Sequence, residues 1–175
     1  MDILGPLPLA NGQKKFLIVA IDYFTKWVEA EPLATITTTK VQGFVWKNII
    51  CKFGIPKVVI TDNGEQFDNH SFRAFCTIYH IDHMLTSVAH PQSNGQAEVT
   101  NRTILWDLKT RLEKEKRLWA DELPNVLWAY HTTPRELTGE TPFKLSFGME
   151  AVVPVKILSE TDRMKTKQLD VAATG

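Results

Sequence analysis

Residues 57–64, Lys-Val-Val-Ile-Thr-Asp-Asn-Gly, restrict what this chain can fold into more than any other stretch. A β-branched run ends on an acid and meets an Asn-Gly turn at once, which predicts a buried strand with Asp62 at its end. Ligands gather at the ends of such strands, and a rigid strand holds a carboxylate well. A second acid, Glu98, lies in His90-Pro91-Gln92-Ser93-Asn94-Gly95-Gln96-Ala97-Glu98-Val99-Thr100-Asn101-Arg102. Here a polar, turn-rich loop over 86–95 is expected to be mobile and to feed a helix, with Glu98 in its first turn. Between the two acids lie 35 residues, positions 63–97.

Each acid also has an ordinary reading. Asp62 before Asn-Gly serves equally well as a turn former. Glu98 near a helix start is a surface acid favoured by the helix dipole. Asp22, in Ile21-Asp22-Tyr23-Phe24, also lies near a strand end.

The order of elements suggests how such acids meet. Residues 2–8, 16–24 and 27–33 read as three strands, with Asn11-Gly12 as a hairpin signal and Pro32 closing the third. Thr37, Thr38 and Thr39 offer N-caps for a helix over 40–53 that Gly54 ends. The Asp62 strand follows Pro56. A helix capped by Asp68 or Ser71 carries Phe72, Phe75, Cys76 and Tyr79, and a fifth short strand covers 81–87. A long helix runs from Asn94 or Gly95 to about Lys116, with Ala97, Ile104, Leu105, Leu108 and Leu112 as its apolar stripe. Helices over 119–132, with Pro124 kinking or starting it, and 141–148 complete an α/β order that fits a five-stranded mixed sheet flanked by helices.

Thr-Asp-Asn-Gly, the 35-residue spacing and Pro-Gln-Ser-Asn-Gly-Gln-Ala-Glu together resemble the catalytic core of retroviral-type integrases, most closely those of plant Ty3/gypsy LTR retrotransposons. The segment Met-Asp-Ile-Leu-Gly-Pro-Leu-Pro at 1–8 matches the stretch that carries the family's first acid. The resemblance spans about 1–156 and implies a ribonuclease H-like fold with an acid triad of Asp2, Asp62 and Glu98. On that motif Asp2 takes the metal role and Asp22 is structural. The implied activity trims retroelement DNA ends and joins them to target DNA. Implied partners are double-stranded DNA and a homodimer or higher oligomer formed through the two late helices. The implied location is the nucleus, with a cytoplasmic phase in particles.

Three carboxylates suit that chemistry. In-line attack on a phosphodiester needs an activated hydroxyl and a neutralised leaving oxygen, which two Mg²⁺ (or Mn²⁺) ions about 3.5–4 Å apart provide. Mg²⁺ prefers hard oxygen ligands and retains several waters. Asp2 would bridge both ions, while Asp62 and Glu98 each hold one. Asn94, Asn101 and Arg102 are candidate DNA contacts, Arg102 one helical turn beyond Glu98. Asn63, Gly64 and Gly95 are supporting residues. Lys109, Arg111, Lys114, Lys116 and Arg117 alternate with Glu113 and Glu115 and read as a solvated helix face.

Composition excludes several other classes. A zero formal charge argues against a DNA-coating protein, and 43% apolar with 23% charged residues is ordinary for a globular domain. No run approaches the roughly 20 apolar residues of a membrane span, and the N-terminus lacks the basic-then-apolar form of a signal peptide. Cys51 and Cys76 read as reduced thiols in helices. Cys76, His80 and His83 have loosely metal-like spacing but no second Cys pair, so the histidines are taken to finish a helix and no zinc is expected. No Asp or Glu occurs from Pro32 to Thr61, which counts against an RNA–DNA hybrid nuclease with an acid on its first helix. The start at Met1, one residue before Asp2, reads as a truncated first strand, and 157–175 as a polar, frayed tail. The alternative to an active core is an inactive relic that binds nucleic acid or dimerises.

Overall fold

The computed structural model describes residues 1–86, 91–136 and 138–152, with side chains throughout these except over 91–101. Expectations for 87–90 and for 153–175, including the tail, lie outside the described residues. Strand β1 (Asp2–Leu4) pairs antiparallel with β2 (Phe16–Ile21), which pairs antiparallel with β3 (Val28–Leu33). Strand β4 (Val58–Thr61) pairs in parallel with β5 (Asp82–Leu85). Among the described residues, five strands form a three-stranded and a two-stranded set rather than one continuous ladder. The Met1 nitrogen donates a hydrogen bond to the Ile60 carbonyl, which brings the start of β1 beside β4.

Alternation along the strands creates two cores. Leu17, Val19 and Val28 face one side, where Ile104, Leu108 and Leu112 of α4 (Pro91–Lys114) and Trp119 and Leu123 of α5 (Trp119–His131) cover them. Ile18, Leu33 and Val59 face the other side, under Val41 and Phe44 of α1 (Thr38–Phe44) and Phe72 and Cys76 of α3 (His70–Ile78). Trp119 is fully buried, and its indole N–H donates to the Pro8 carbonyl at 2.6 Å, tying α5 to the segment after β1.

Local chemistry explains most boundaries. The Thr37 hydroxyl caps α1 by accepting from the Lys40 N–H. Helical structure continues through a π segment (Val45–Ile50) and α2 (Cys51–Phe53) until Gly54, at φ 91°. A left-handed backbone of that kind suits glycine. Helix α6 (Pro142–Phe147) is capped by Thr141 and ends on Gly148 at φ 72°.

Four expectations need correction. β1 stops at Leu4 instead of position 8: Gly5, at φ 140°, interrupts the ladder, and the chain continues alongside with an isolated bond from the Leu7 N–H to the Lys15 carbonyl at 2.7 Å. Asn69, and neither Asp68 nor Ser71, caps α3: its side chain accepts from the Phe72 N–H at 3.0 Å, while Asp68 pairs with Arg73. α4 begins at Pro91, so Asn94 and Gly95 are helical and Glu98 is not in the first turn. Proline fits a helix start because its missing N–H would be unpaired there anyway. His83 belongs to β5 and does not finish a helix.

Candidate active site

Pleating decides where the two strand acids project. Ile3 packs on the α1/α3 side of the sheet and Leu4 on the α4/α5 side, so Asp2, two residues before Leu4, faces α4 and α5. Val59 is buried on the α1/α3 side, and Thr61 follows the same alternation. Asp62, the next residue, therefore turns toward the α4 side. The Met1–Ile60 hydrogen bond sets these two strand segments side by side.

Electrostatics records the proximity. Burial raises the Asp2 carboxyl above its ordinary value of 3.8, and the charge of Asp62 pushes it the same way. The Ile3 N–H, donating to Asp2 Oδ1 at 2.7 Å, opposes both. Asp62 is exposed, and its Oδ1 accepts from the Gly64 N–H at 3.0 Å. That Asx turn orients the carboxylate, and a Cβ at Gly64 would collide with the Gln66 side-chain amide. The Gly64 carbonyl in turn accepts from the N–H groups of Phe67 and Asp68, both at 2.8 Å, so the loop behind Asp62 is rigid. Asn63 is exposed beside it.

α4 covers the same side of the sheet. Ile104, Leu108 and Leu112 anchor that helix in the core, and Glu98 lies six residues, about 9 Å, before Ile104. The side chains of Asn94, Glu98 and Asn101 lie outside the description, as does any contact they make. Arg102 is exposed one turn beyond Glu98. Among the described residues no three of His, Cys, Asp and Glu gather as a metal cluster. Asp2 and Asp62 nevertheless suit a hard divalent cation: both are oxygen donors on rigid backbone, and a cation between them would offset the Asp62 charge that adds to the burial-driven rise of Asp2.

Asp22 is otherwise engaged. Its Oδ2 accepts from the Phe24 N–H (3.2 Å), the Thr25 N–H (2.8 Å) and the Thr25 hydroxyl (2.8 Å), closing the β2–β3 turn. Cys76 is buried among apolar side chains, and burial pushes its thiol up to about 11. Lys109 and Arg111 make ion pairs with Glu113 (3.8 Å) and Asp107 (3.1 Å) along α4, as a solvated face would.

One pair escaped the sequence reading. Thr61, fully buried, places its hydroxyl 2.8 Å from His83 Nε2. The same hydroxyl donates to the Asp62 carbonyl at 3.0 Å, so His83 and Thr61 brace the backbone beneath the Asp62 carboxylate. Burial lowers the His83 pKa, and nearby Arg73 adds to that. The signal was available: alternation turns Thr61 inward, and a buried hydroxyl needs a partner.

With this geometry in place, comparison with known proteins is informative. The Integrase core domain model matches residues 1–91. The Gag-Pol polyprotein of Koala retrovirus is 38% identical over 135 residues, which is 77% of this chain but 8% of the polyprotein. The Pol polyprotein of a radiation murine leukemia virus is 36% identical over 135 residues, 77% of this chain and 23% of that protein. A Pol polyprotein from transposon 412 of Drosophila melanogaster is 25% identical over 154 residues, 88% of this chain and 12% of that protein. The chain therefore spans a small part of each. Among solved structures, the catalytic core domain of BIV integrase superposes with a TM-score of 0.60 at 22% identity, covering 82% of this chain and 90% of that one. The simian T-cell lymphotropic virus intasome, in complex with PP2A regulatory subunit B56 gamma, gives a TM-score of 0.61 at 24% identity over 86% of this chain and 58% of that one. These likenesses establish the ribonuclease H-like fold of integrase catalytic cores. Residues 1–91 are more than half of the 175 in the chain, and on that match the chain belongs to the integrase core domain family of the retroviral integrase superfamily.

Proposed function

We propose that this chain is the catalytic core, residues 1–156, of a polynucleotidyl transferase that trims retroelement DNA ends and joins them to target DNA. The observation that carries the reading is the placement of Asp2 and Asp62 on adjoining strand segments, both turned toward the side that α4 covers. Asp2, Asp62 and Glu98 are the proposed holders of two divalent cations, Mg²⁺ or Mn²⁺. When bound, such ions activate the attacking hydroxyl and neutralise the leaving oxygen. The strands hold Asp2 and Asp62 still, the Gly64 N–H aims the Asp62 carboxylate, and Glu98 is the acid assigned from α4. No acid needs to transfer a proton. Arg102, with Asn94 and Asn101 on the same helix, is assigned to the DNA backbone, where a guanidinium can neutralise a phosphate. Asn63 and Gly95 are assigned supporting roles.

Several finer parts belong to the same reading. The source is a Ty3/gypsy-type retroelement of plant-like character, the five strands act as one mixed sheet, and the chain works as a homodimer or higher oligomer on double-stranded DNA in the nucleus. The test is disintegration of a branched DNA by this chain with Mg²⁺ or Mn²⁺, beside Asp62→Asn and Glu98→Gln. The reading expects metal-dependent strand release from the native chain and at least a roughly hundredfold loss in each variant, the scale on which one stabilising group acts. Release that persists in both variants would overturn it. A native chain that stays silent while still binding DNA would favour the inactive relic.

A further inference from the structure

We infer that His83 is a positioning residue for Asp62, and through it for the proposed cation site, acting from the far side of the sheet by way of the Thr61 hydroxyl; the inference rests on the proposed function. His83 pairs with Val59 across the β4–β5 ladder and so shares its α1/α3 side. There the half-buried imidazole stands perpendicular to the Phe72 ring of α3, with centroids 5.0 Å apart. The Asp62 carboxylate turns the other way, so His83 acts on it through the backbone.

Hydroxyl chemistry fixes the direction of that action. Thr61 has one hydroxyl proton and donates it to the Asp62 carbonyl at 3.0 Å, so the same oxygen accepts from His83 Nε2–H at 2.8 Å. The neutral Nε2–H tautomer and the imidazolium both donate there, so the contact survives a change of protonation. The bond from Thr61 to Asp62 lies within the turn and moves with it. The bond from His83 ties the turn to β5.

Three bonds then fix the acid. The Thr86 N–H donates to the Thr61 carbonyl at 2.8 Å, which holds the peptide plane before the Asp62 Cα. The Thr61 hydroxyl, anchored by His83, holds the plane after it. The Gly64 N–H, donating to Oδ1 at 3.0 Å, sets the carboxylate on that frame. A metal site needs its ligands held within about 0.5 Å, and partners behind a ligand typically govern about tenfold to a hundredfold in metal affinity.

The test compares the native chain with His83→Leu, His83→Gln, Thr61→Val and His83→Leu/Thr61→Val, each confirmed as folded by its melting curve. Leucine keeps an apolar body against Phe72 but has no donor, whereas the glutamine amide nitrogen reaches the place of Nε2. Two quantities are read: hydrogen exchange of the Gly64 amide in the metal-free chain, by NMR, and Mn²⁺ affinity, by electron paramagnetic resonance, with Asp62→Asn alongside. His83→Leu should quicken Gly64 exchange and weaken Mn²⁺ binding, each about tenfold or more, and His83→Gln should restore both. The double variant should lose no more than His83→Leu, because both substitutions act through one hydroxyl. If leucine unfolds the chain, Thr61→Val carries the same expectation, with Thr61→Ser as the rescue. Unchanged Gly64 exchange, losses that add in the double variant, or no rescue by glutamine would overturn the inference. Mn²⁺ affinity that falls in Asp62→Asn but holds in His83→Leu would also overturn it and leave the proposed function standing. Gly64 exchange that responds as expected, with Mn²⁺ affinity untouched by Asp62→Asn, would keep His83 as the positioner of Asp62 and remove the catalytic reading.

Discussion

If α4 positions Glu98, a cavity beneath the middle of the helix should cost more activity than an equal cavity near its C-terminal end. Ile104 and Leu112 form a matched pair. Both are buried in the same core, at 6% and 0% exposure, and both lie on the stripe that fixes α4 to the sheet. Truncation of either to Ala costs roughly 2–5 kcal/mol in lost transfer energy and cavity formation. At about 2–4 °C per kcal/mol, a cost of about 3 kcal/mol lowers the melting temperature by about 6–12 °C. The two sites differ in distance from Glu98: six residues, about 9 Å, against fourteen, about 21 Å. A shift of about 1 Å in a catalytic group can cost on the order of a hundredfold in rate. At a temperature where both variants are folded by circular dichroism, Ile104→Ala should lose about tenfold or more in disintegration rate. Leu112→Ala should lose less than about threefold. Equal activities at equal stability would refute the view that the anchoring of α4 sets Glu98.

Asp2→Asn should stabilise the metal-free protein. Because the folded Asp2 carboxyl titrates above 3.8, folding retains its proton and stability falls as pH rises from the unfolded value through the folded one. The native chain should therefore melt lower at pH 7 than near pH 4 by more than Asp2→Asn does; parallel melting profiles would count against the buried, repelled carboxyl. Asn69→Ala removes the α3 cap and a 2.9 Å bond to Thr38, and should cost about 1 kcal/mol by urea denaturation with strand release retained. Glu29 is buried at 8% exposure and bonded to Lys52 (2.7 Å) and the Trp27 indole (2.9 Å). Because the lysine is 46% exposed, Lys52→Ala should cost about 1 kcal/mol, well short of a fully buried pair; a loss above about 3 kcal/mol would show that solvent does not screen it.

Legibility followed local chemistry. The Val58–Thr61 strand announced itself by its β-branched residues, and the Asn-Gly after Asp62 marked its end. Helix ends at Gly54 and Gly148 were equally plain, because left-handed backbone favours glycine. Choices among near-equivalent caps were not. Asp68, Asn69 and Ser71 all suit an N-cap, and only the Asp68–Arg73 pair, a contact between side chains, leaves the position to Asn69. The start of α4 was misread because Asn94 and Gly95 are poor helix formers, yet the helix includes both. The site was half legible. Period-two alternation turns Asp2 and Asp62 to one side, whereas their adjacency depends on β1 meeting β4, a long-range contact that no local pattern encodes. The Thr61–His83 brace depends on the β4–β5 register in the same way.

On the proposed function, Asp2, Asp62 and Glu98 converge on one metal site. Titration of Mn²⁺ into the native chain, followed by electron paramagnetic resonance, tests it without requiring turnover. Binding should be saturable, and Asp2→Asn, Asp62→Asn and Glu98→Gln should each weaken it at least about tenfold, the lower end of what loss of a supporting group does. Unchanged Mn²⁺ affinity in Glu98→Gln, with binding still lost in the two Asp variants, would contradict the convergence and leave a two-acid site.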